Sequence, residues 1–241
     1  MFVLVDYNKN YSDVCSELSL KGYSLVTIFK LCLNGKNSIN LQMEKIRELK
    51  KRINPKYCAV QVQIDRFENS TVGTINSLKL EFDLVIGLGG LNKINRFFLE
   101  DIQVDFLRDP HNVIFRSKMD FIHHFNSGIN HVLCSLAEQR NIGFIFSLNF
   151  VSGKGKNIAK EFGRICQNIS FARKFNVPVY LNFIIGNVNQ IKSSSELVKI
   201  GSLFDMDIKQ KKDISRIIEN KIEENNFKKS DKYICDGIHF V

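Results

Sequence analysis

The chain has no tryptophan and only three prolines in 241 residues, and no glycine-rich or serine-rich run interrupts it. Without such a linker, and at a length that one α/β barrel commonly fills, a single domain spanning 1–241 is expected. Its six cysteines, at 15, 32, 58, 134, 166 and 235, form no Cys-x-x-Cys pair and mostly sit among apolar residues. This pattern argues for reduced core thiols in an intracellular protein, and against a zinc site or a disulfide frame. No apolar run approaches the length needed to cross a membrane. The opening Met-Phe-Val-Leu-Val lacks a basic segment and is too short for a signal peptide, so no membrane partner is expected. Acidic residues are the scarcer charge: 25 against 34 basic ones, a formal net charge of +9. That excess fits a polyanionic partner, without separating RNA from DNA or an acidic membrane.

Apolar residues make up 44% of the chain, enough for a sizeable core. They recur as short runs alternating with helical stripes. Strands are expected at Phe2–Val5, Leu25–Phe29, Tyr57–Ile64, Phe82–Leu88, Ile102–Leu107, Phe144–Phe146 and Val177–Ile184. Gln61 and Gln63 alternate with Val60, Val62 and Ile64, so one face of the third strand is expected to be polar. Helices are expected at Tyr11–Lys21, Ile39–Arg52, Thr74–Lys79, Leu91–Leu99, Asn157–Phe175, Ser194–Phe204 and Lys209–Glu224. In Gly128–Leu148, Ile129, Val132, Leu133, Leu136 and Ala137 form a helical stripe, with Ser127 as its cap and His131 facing outward. Regular alternation implies a parallel sheet flanked by helices. With about seven to eight strands and no dinucleotide fingerprint, the expected fold is α/β, a TIM-barrel-like (PHP-like) parallel barrel with surrounding helices.

Several stretches could carry chemistry. In Asn157–Phe175, Ile158, Phe162, Ile165, Ile169 and Ala172 are expected to be buried. Lys156, Lys160, Arg164, Gln167 and Lys174 project to the opposite side, as a row suited to a phosphate backbone or simply a solvated face. Before that helix, Ser152-Gly153-Lys154-Gly155-Lys156 lies between a strand and a helix N-terminus. It could cradle a phosphate or be an ordinary turn, but it lacks Walker A spacing. The segment Arg108–Phe125 interleaves Arg108, Arg116 and Lys118 with Phe115, Phe121, His123, His124 and Phe125, as a surface that stacks on unpaired bases would. Its three histidines, with Asp109 and Asp120, do not match a standard zinc pattern, and no metal site is assigned. Gly87-Leu88-Gly89-Gly90 lacks a complete dinucleotide run and reads as a tight turn.

The order of these stretches resembles a known family. Asp105 through His111, then Ser127-Gly128-Ile129-Asn130-His131-Val132-Leu133 and Phe146-Ser147-Leu148, are similar to the signature of the TIM-barrel-like ribonuclease P subunit. That subunit is protein component 3 in archaea and the thirty-kilodalton subunit in eukaryotes. NISFARKFNVP at 168–178, Ser194–Asp207 and Asp236-Gly237-Ile238 continue the resemblance; Asn182-Phe183-Ile184-Ile185-Gly186 departs from it. The resemblance implies an RNA-binding subunit of the ribonucleoprotein that removes the 5′ leader from precursor tRNA. The catalyst there is the RNA, with Mg2+ required by the assembled particle. The implied partners are ribonuclease P RNA, a small α/β partner subunit and other ribonuclease P proteins, with precursor tRNA as the substrate of the complex. No catalytic residue and no cofactor of its own are expected in this chain. Arg108, Arg116, Lys118, His131, Lys154, Lys156, Lys160, Arg164 and Lys174 are the candidate RNA contacts. The compact length favours an archaeal, cytoplasmic version over a nuclear eukaryotic one. Two alternatives stay open. A PHP-type metal-dependent phosphoesterase needs His-x-His after the first strand, where this chain has Asp6-Tyr7-Asn8. A non-catalytic protein-binding barrel would carry its basic surface incidentally.

Overall fold

The computed structural model describes residues 2–8, 11–33, 36–64, 69–102, 104–112, 120, 125–148, 158–182, 194–214, 216–230, 233–235 and 238–239. Seven strands form one parallel sheet in strictly sequential order: β1 (Phe2–Asp6), β2 (Ser24–Cys32), β3 (Tyr57–Gln63), β4 (Leu84–Leu88), β5 (Phe106–Arg108), β6 (Gly143–Ser147) and β7 (Val179–Asn182). Between them run α1 (Tyr11–Leu20), α2 (Lys36–Ile53), α3 (Asn69–Glu81), α4 (Asn92–Phe97), α5 (His131–Gln139) and α6 (Ile158–Lys174). After β7 come α7 (Ser194–Leu203), α8 (Ile208–Asp213) and α9 (Ile217–Lys228), then the hairpin β8 (Tyr233–Cys235) and β9 (Ile238–His239). The result is a nearly closed α/β barrel of TIM-like architecture, as the sequence predicts. No described helix is long and apolar enough to cross a membrane.

The strands are apolar on both faces because both are covered. In β1, Val3 and Val5 pack outward on Tyr11, Val14 and Leu18 of α1, while Phe2 and Leu4 belong to the main core. Phe106 fills the interior opposite Gly143, where an added Cβ would come within 2.6 Å of the ring. The seam between β1 and β7, which are not paired as strands, is bridged by a side chain: the Tyr180 hydroxyl of β7 donates to the Phe2 carbonyl of β1 at 3.2 Å.

Three expectations are corrected. The strand predicted from Ile102 starts at Phe106, because α4 runs on into a π-helical turn (Phe98–Ile102) that buries Phe98, Leu99 and Ile102. The single helix predicted over Lys209–Glu224 is two. Asp207 and Gln210 form a reciprocal capping box that starts α8, and Ile214 turns into the core before α9 begins. The short helix predicted at Thr74–Lys79 extends over Asn69–Glu81.

Replacing Tyr180 by Phe leaves the Phe2 carbonyl unpaired at the seam. The expected loss is about 1–3 kcal/mol. Urea unfolding should show a lower midpoint with an unchanged slope.

Candidate functional site

The C-terminal ends of the strands, where barrel sites are built, carry a polar layer assembled from six strands. The Arg108 guanidinium at the end of β5 donates to the Asp6 carboxylate (2.9 Å), the Gln61 amide oxygen (2.7 Å) and the Ser147 hydroxyl (3.0 Å). Lys30 of β2 reaches the other Asp6 oxygen at 3.3 Å. Asp109 accepts from the Ser147 amide at 2.6 Å, and Asn182, paired in register with Ser147, lies buried at the same level. Burial pushes the Asp6 carboxyl up, but the charge and hydrogen bonds of Arg108, with Lys30, outweigh it and hold it below the usual carboxylate range. Gln61 thus explains the polar face of β3.

Arg108 is a correction. The sequence offered it as a surface cation for a phosphate, but it is only 2% exposed. Its charge is committed to Asp6, a buried carboxylate whose other counter-ion, Lys30, is itself largely exposed to solvent. Asp6 stands where a PHP-type enzyme would begin its metal ligands. With two cations already on its carboxylate, this position does not fit a metal.

Below the mouth, a second network fixes the signature segment. Asn95, fully buried in α4, accepts from the Gly90 amide and donates to the Pro110 and Gly128 carbonyls at 2.9 and 2.8 Å. The loop after β4 and both ends of the connection between β5 and α5 are tied to one side chain. Gly89 has no room for a Cβ, which would lie 2.6 Å from Pro110 Cα, so Gly87–Gly90 serves a close backbone approach. Gly128 takes φ +83°, which favours glycine. Ser127 is buried and does not cap α5; the Asn130 side chain does, accepting from the Leu133 amide at 3.0 Å. His131 is therefore the first helical residue and is exposed, as predicted. The buried side of α5 is Leu133, Cys134 and Ala137, with Val132 turned outward.

The face of α6 is rotated from its predicted position. Ile165, Ile169 and Ala172 are buried as expected, but Ile158 and Phe162 are exposed, while Arg164 and Asn168 turn inward. Arg164, 7% exposed, pairs with Asp120 at 2.9 Å; Asp120 also accepts from the Asn126 amide. Gln167 clamps Phe125, accepting from its amide and donating to its carbonyl, and also donates to Ser127. Asn168 donates to the Ser127 carbonyl. The loop before α5 presents unpaired backbone groups, and these polar side chains satisfy them. Arg164 and Gln167 thus leave the predicted cation row, and Lys160 and Lys174 remain exposed on α6. Arg116, Lys118, Lys154 and Lys156 lie outside the described residues.

Little of the Arg108 and Asn95 networks could be read from sequence, because partners such as Asp6 and Arg108 stand 102 positions apart. Two signals were present: Asp6 closing an otherwise apolar strand, and Gln61 inside another. Cys58 and Cys134 are buried core thiols as predicted, while Cys15, Cys32 and Cys166 are only half-buried; burial pushes the Cys134 thiol up to about 12.

Replacing Arg108 by Met should destabilise the fold by about 3–5 kcal/mol, since it leaves Asp6 buried without its main partner. In the native protein Asp6 is lower in the folded than in the unfolded state. Its contribution is therefore present above pH ~4 and lost as pH falls through the folded value. In the variant the Asp6 value rises, so its penalty fades on acidification, and Asp6→Asn should restore part of the loss. Urea unfolding at pH 7 and pH 4 should show the gap between native and variant narrowing.

No protein-family model matches the chain. A curated relative from Methanococcoides burtonii, ribonuclease P protein component 3, is 24% identical over 168 residues, 69% of this chain and 64% of the relative. Its counterpart from Methanosarcina mazei is 22% identical over 170 residues, 70% of this chain and 66% of the relative. The chain thus spans just under two thirds of the length of these relatives. A chain in a cryo-EM structure of archaeal ribonuclease P with mature tRNA superposes with a TM-score of 0.73 at 19% identity, covering 100% of this chain and 98% of that one, and so shares its fold. The resemblance drawn from the Ser127–Leu133 signature is borne out: the curated relatives of this chain carry the name ribonuclease P protein component 3.

Proposed function

We propose that this chain is a protein subunit of ribonuclease P that supports RNA-catalysed removal of the 5′ leader from precursor tRNA. The observation that carries this reading is the match to relatives named ribonuclease P protein component 3 over about 70% of the chain. The structure adds a physical reason for the signature. Its residues build a rigid support: Asn130 caps α5, Ser127 and Gly128 are held by Gln167, Asn168 and Asn95, and His131 is presented at the exposed first turn. Such a support suits a scaffold that offers charge and rings to an RNA. At the mouth Asp6, Gln61, Arg108 and Ser147 are engaged with one another, which supports placing the chemistry in the RNA of the particle, with its Mg2+, and not in this chain.

In this reading the partners are ribonuclease P RNA, a small α/β subunit and the other proteins of the particle, in the cytoplasm. Lys160, Lys174 and His131 are the described residues proposed to meet RNA. Arg116, Lys118, Lys154 and Lys156 remain candidates on the strength of the sequence. Arg108 and Arg164 act indirectly, by holding the strand ends and the loop before α5.

The test is reconstitution of an archaeal ribonuclease P from its RNA and small protein subunits, with and without this chain, followed by precursor-tRNA cleavage across Mg2+ concentrations. The chain should raise the rate or lower the Mg2+ requirement. Replacing both Lys160 and Lys174 by Gln should reverse part of that gain and flatten the salt dependence of RNA binding by about one unit of log–log slope for each phosphate no longer neutralised. No effect of the chain on cleavage, together with no binding to RNA or to the partner subunit, overturns the reading in favour of a protein-binding barrel.

A further inference from the structure

The opposite end of the barrel carries a charged feature absent from the expectations drawn from sequence. At the N-terminal ends of β5 and β6, the last turns of α3 and α5 and the length of α9 enclose a cleft of about 640 Å³. Five cations line it: Lys79, Arg140, Lys221, Lys228 and Lys229. They come from α3, α9 and the residues just after α5 and α9, so no single helical stripe reveals them. Two acids, Asp105 and Glu224, face them.

Five cations against two acids give the lining an excess of positive charge. Lys79 donates to the Ile102 carbonyl, Lys229 to the Phe82 carbonyl and Arg140 to the Glu100 carbonyl. These neutral acceptors orient the cations without neutralising them, and an ammonium has three donors to offer. Glu224 is shared between Lys221 at 3.1 Å and Lys228 at 2.7 Å, one carboxylate for two cations. Asp105 is buried against the Val85 amide, and burial drives its carboxyl above the usual range. Burial also pushes the Lys79 ammonium below the usual lysine range; Lys221 and Lys228 add to that effect and Asp105 opposes it. An anion in the cleft would relieve this crowding.

Size and lining define the occupant. Lys221 and Lys228 lie seven residues apart on α9, about 10 Å along its axis, more than one phosphate spans. The cleft continues past Asn141, Lys221 and Glu224 into a neighbouring one of about 380 Å³ where Arg173 and Lys209 are balanced by Asp207 and Asp213, so the excess of cations lies in the larger cleft. No aromatic ring lines the larger cleft among the described residues, so nothing there stacks on a base. The form of anion that fits is a run of phosphodiesters read without regard to sequence.

We propose that this cleft between α3, α5 and α9 is a second RNA-backbone contact, at the end of the barrel opposite the mouth. It rests on the reading of the chain as an RNA-binding subunit. With it, the barrel bridges two RNA segments.

The experiment uses the full chain and a fluorescently labelled archaeal ribonuclease P RNA. Affinity is measured by anisotropy across salt for the native chain, Lys228→Gln/Lys229→Gln, Lys228→Arg/Lys229→Arg and Lys160→Gln/Lys174→Gln. Both cleft lysines are exposed, so thermal unfolding should confirm intact folds. The Gln pair should weaken RNA binding at least tenfold and lower the salt slope by about two, and the Arg pair should bind like the native chain. Acetylation of Lys228 and Lys229 by an activated ester should slow at least threefold when RNA is bound. Native binding with an unchanged slope in the Gln pair, while the α6 pair is weakened, overturns the cleft alone. Absence of RNA binding by the native chain overturns both readings. Inorganic tripolyphosphate protecting the two lysines where the RNA does not overturns the RNA assignment in favour of a small-anion site.

Discussion

The ion pair between Arg108 and Asp6 is the constraint on which the upper half of this barrel depends. A carboxylate taken out of water at the end of β1 is tolerable only with a counter-charge against it, and the counter-charge comes from the end of β5. Satisfying the remaining donors of the guanidinium draws in Gln61 from β3 and Ser147 from β6. One polar cluster thereby sets the relative height of four strands, while the apolar layers beneath it, such as Phe106 against Gly143, set only their spacing. Hydrophobic packing is indifferent to small sliding. A hydrogen-bonded charge is not, and the loops that leave these strand ends inherit their positions from it.

What was legible in the sequence follows from range. Strands buried on both faces betray themselves locally, as Phe144-Ile145-Phe146 does. Alternation of strand and helix then points to the parallel barrel without knowledge of any tertiary pairing. The exposed place of His131 was legible too, from its angle to Leu133 and Ala137. The angular projection failed on α6, because it assumed that polar residues face solvent. Arg164, Gln167 and Asn168 face a loop whose backbone groups lack other partners, and the helix turns toward them at the expense of Ile158 and Phe162. Arg108 was misjudged for the same reason. An arginine beside aspartate and histidine reads as a surface residue until the carboxylate 102 positions earlier is seen beside it.

The surface charge sorts along the barrel axis. Near the mouth, Arg108 and Arg164 are spent internally, so the cations of the loops and of α6 carry whatever the outside meets. At the other end, lysines seated on helix-terminal carbonyls keep their charge while losing much of their freedom. Helix C-termini favour such cations on their own account, so the fold can hold this charge in place before any partner arrives.

The seam bridged by Tyr180 has a consequence for the order of assembly. Its two strands are first and last in the barrel, and the bond across them spans 178 positions of chain. Every other strand pairs with its sequence neighbour. During synthesis the sheet can therefore grow one strand at a time behind the ribosome, each addition local, until β7 emerges. Only then can the two edges meet, in the contact of greatest sequence separation between strands of the barrel. Until that moment the nascent chain exposes two unsatisfied edges, and its half-built barrel is open to pairing with another chain.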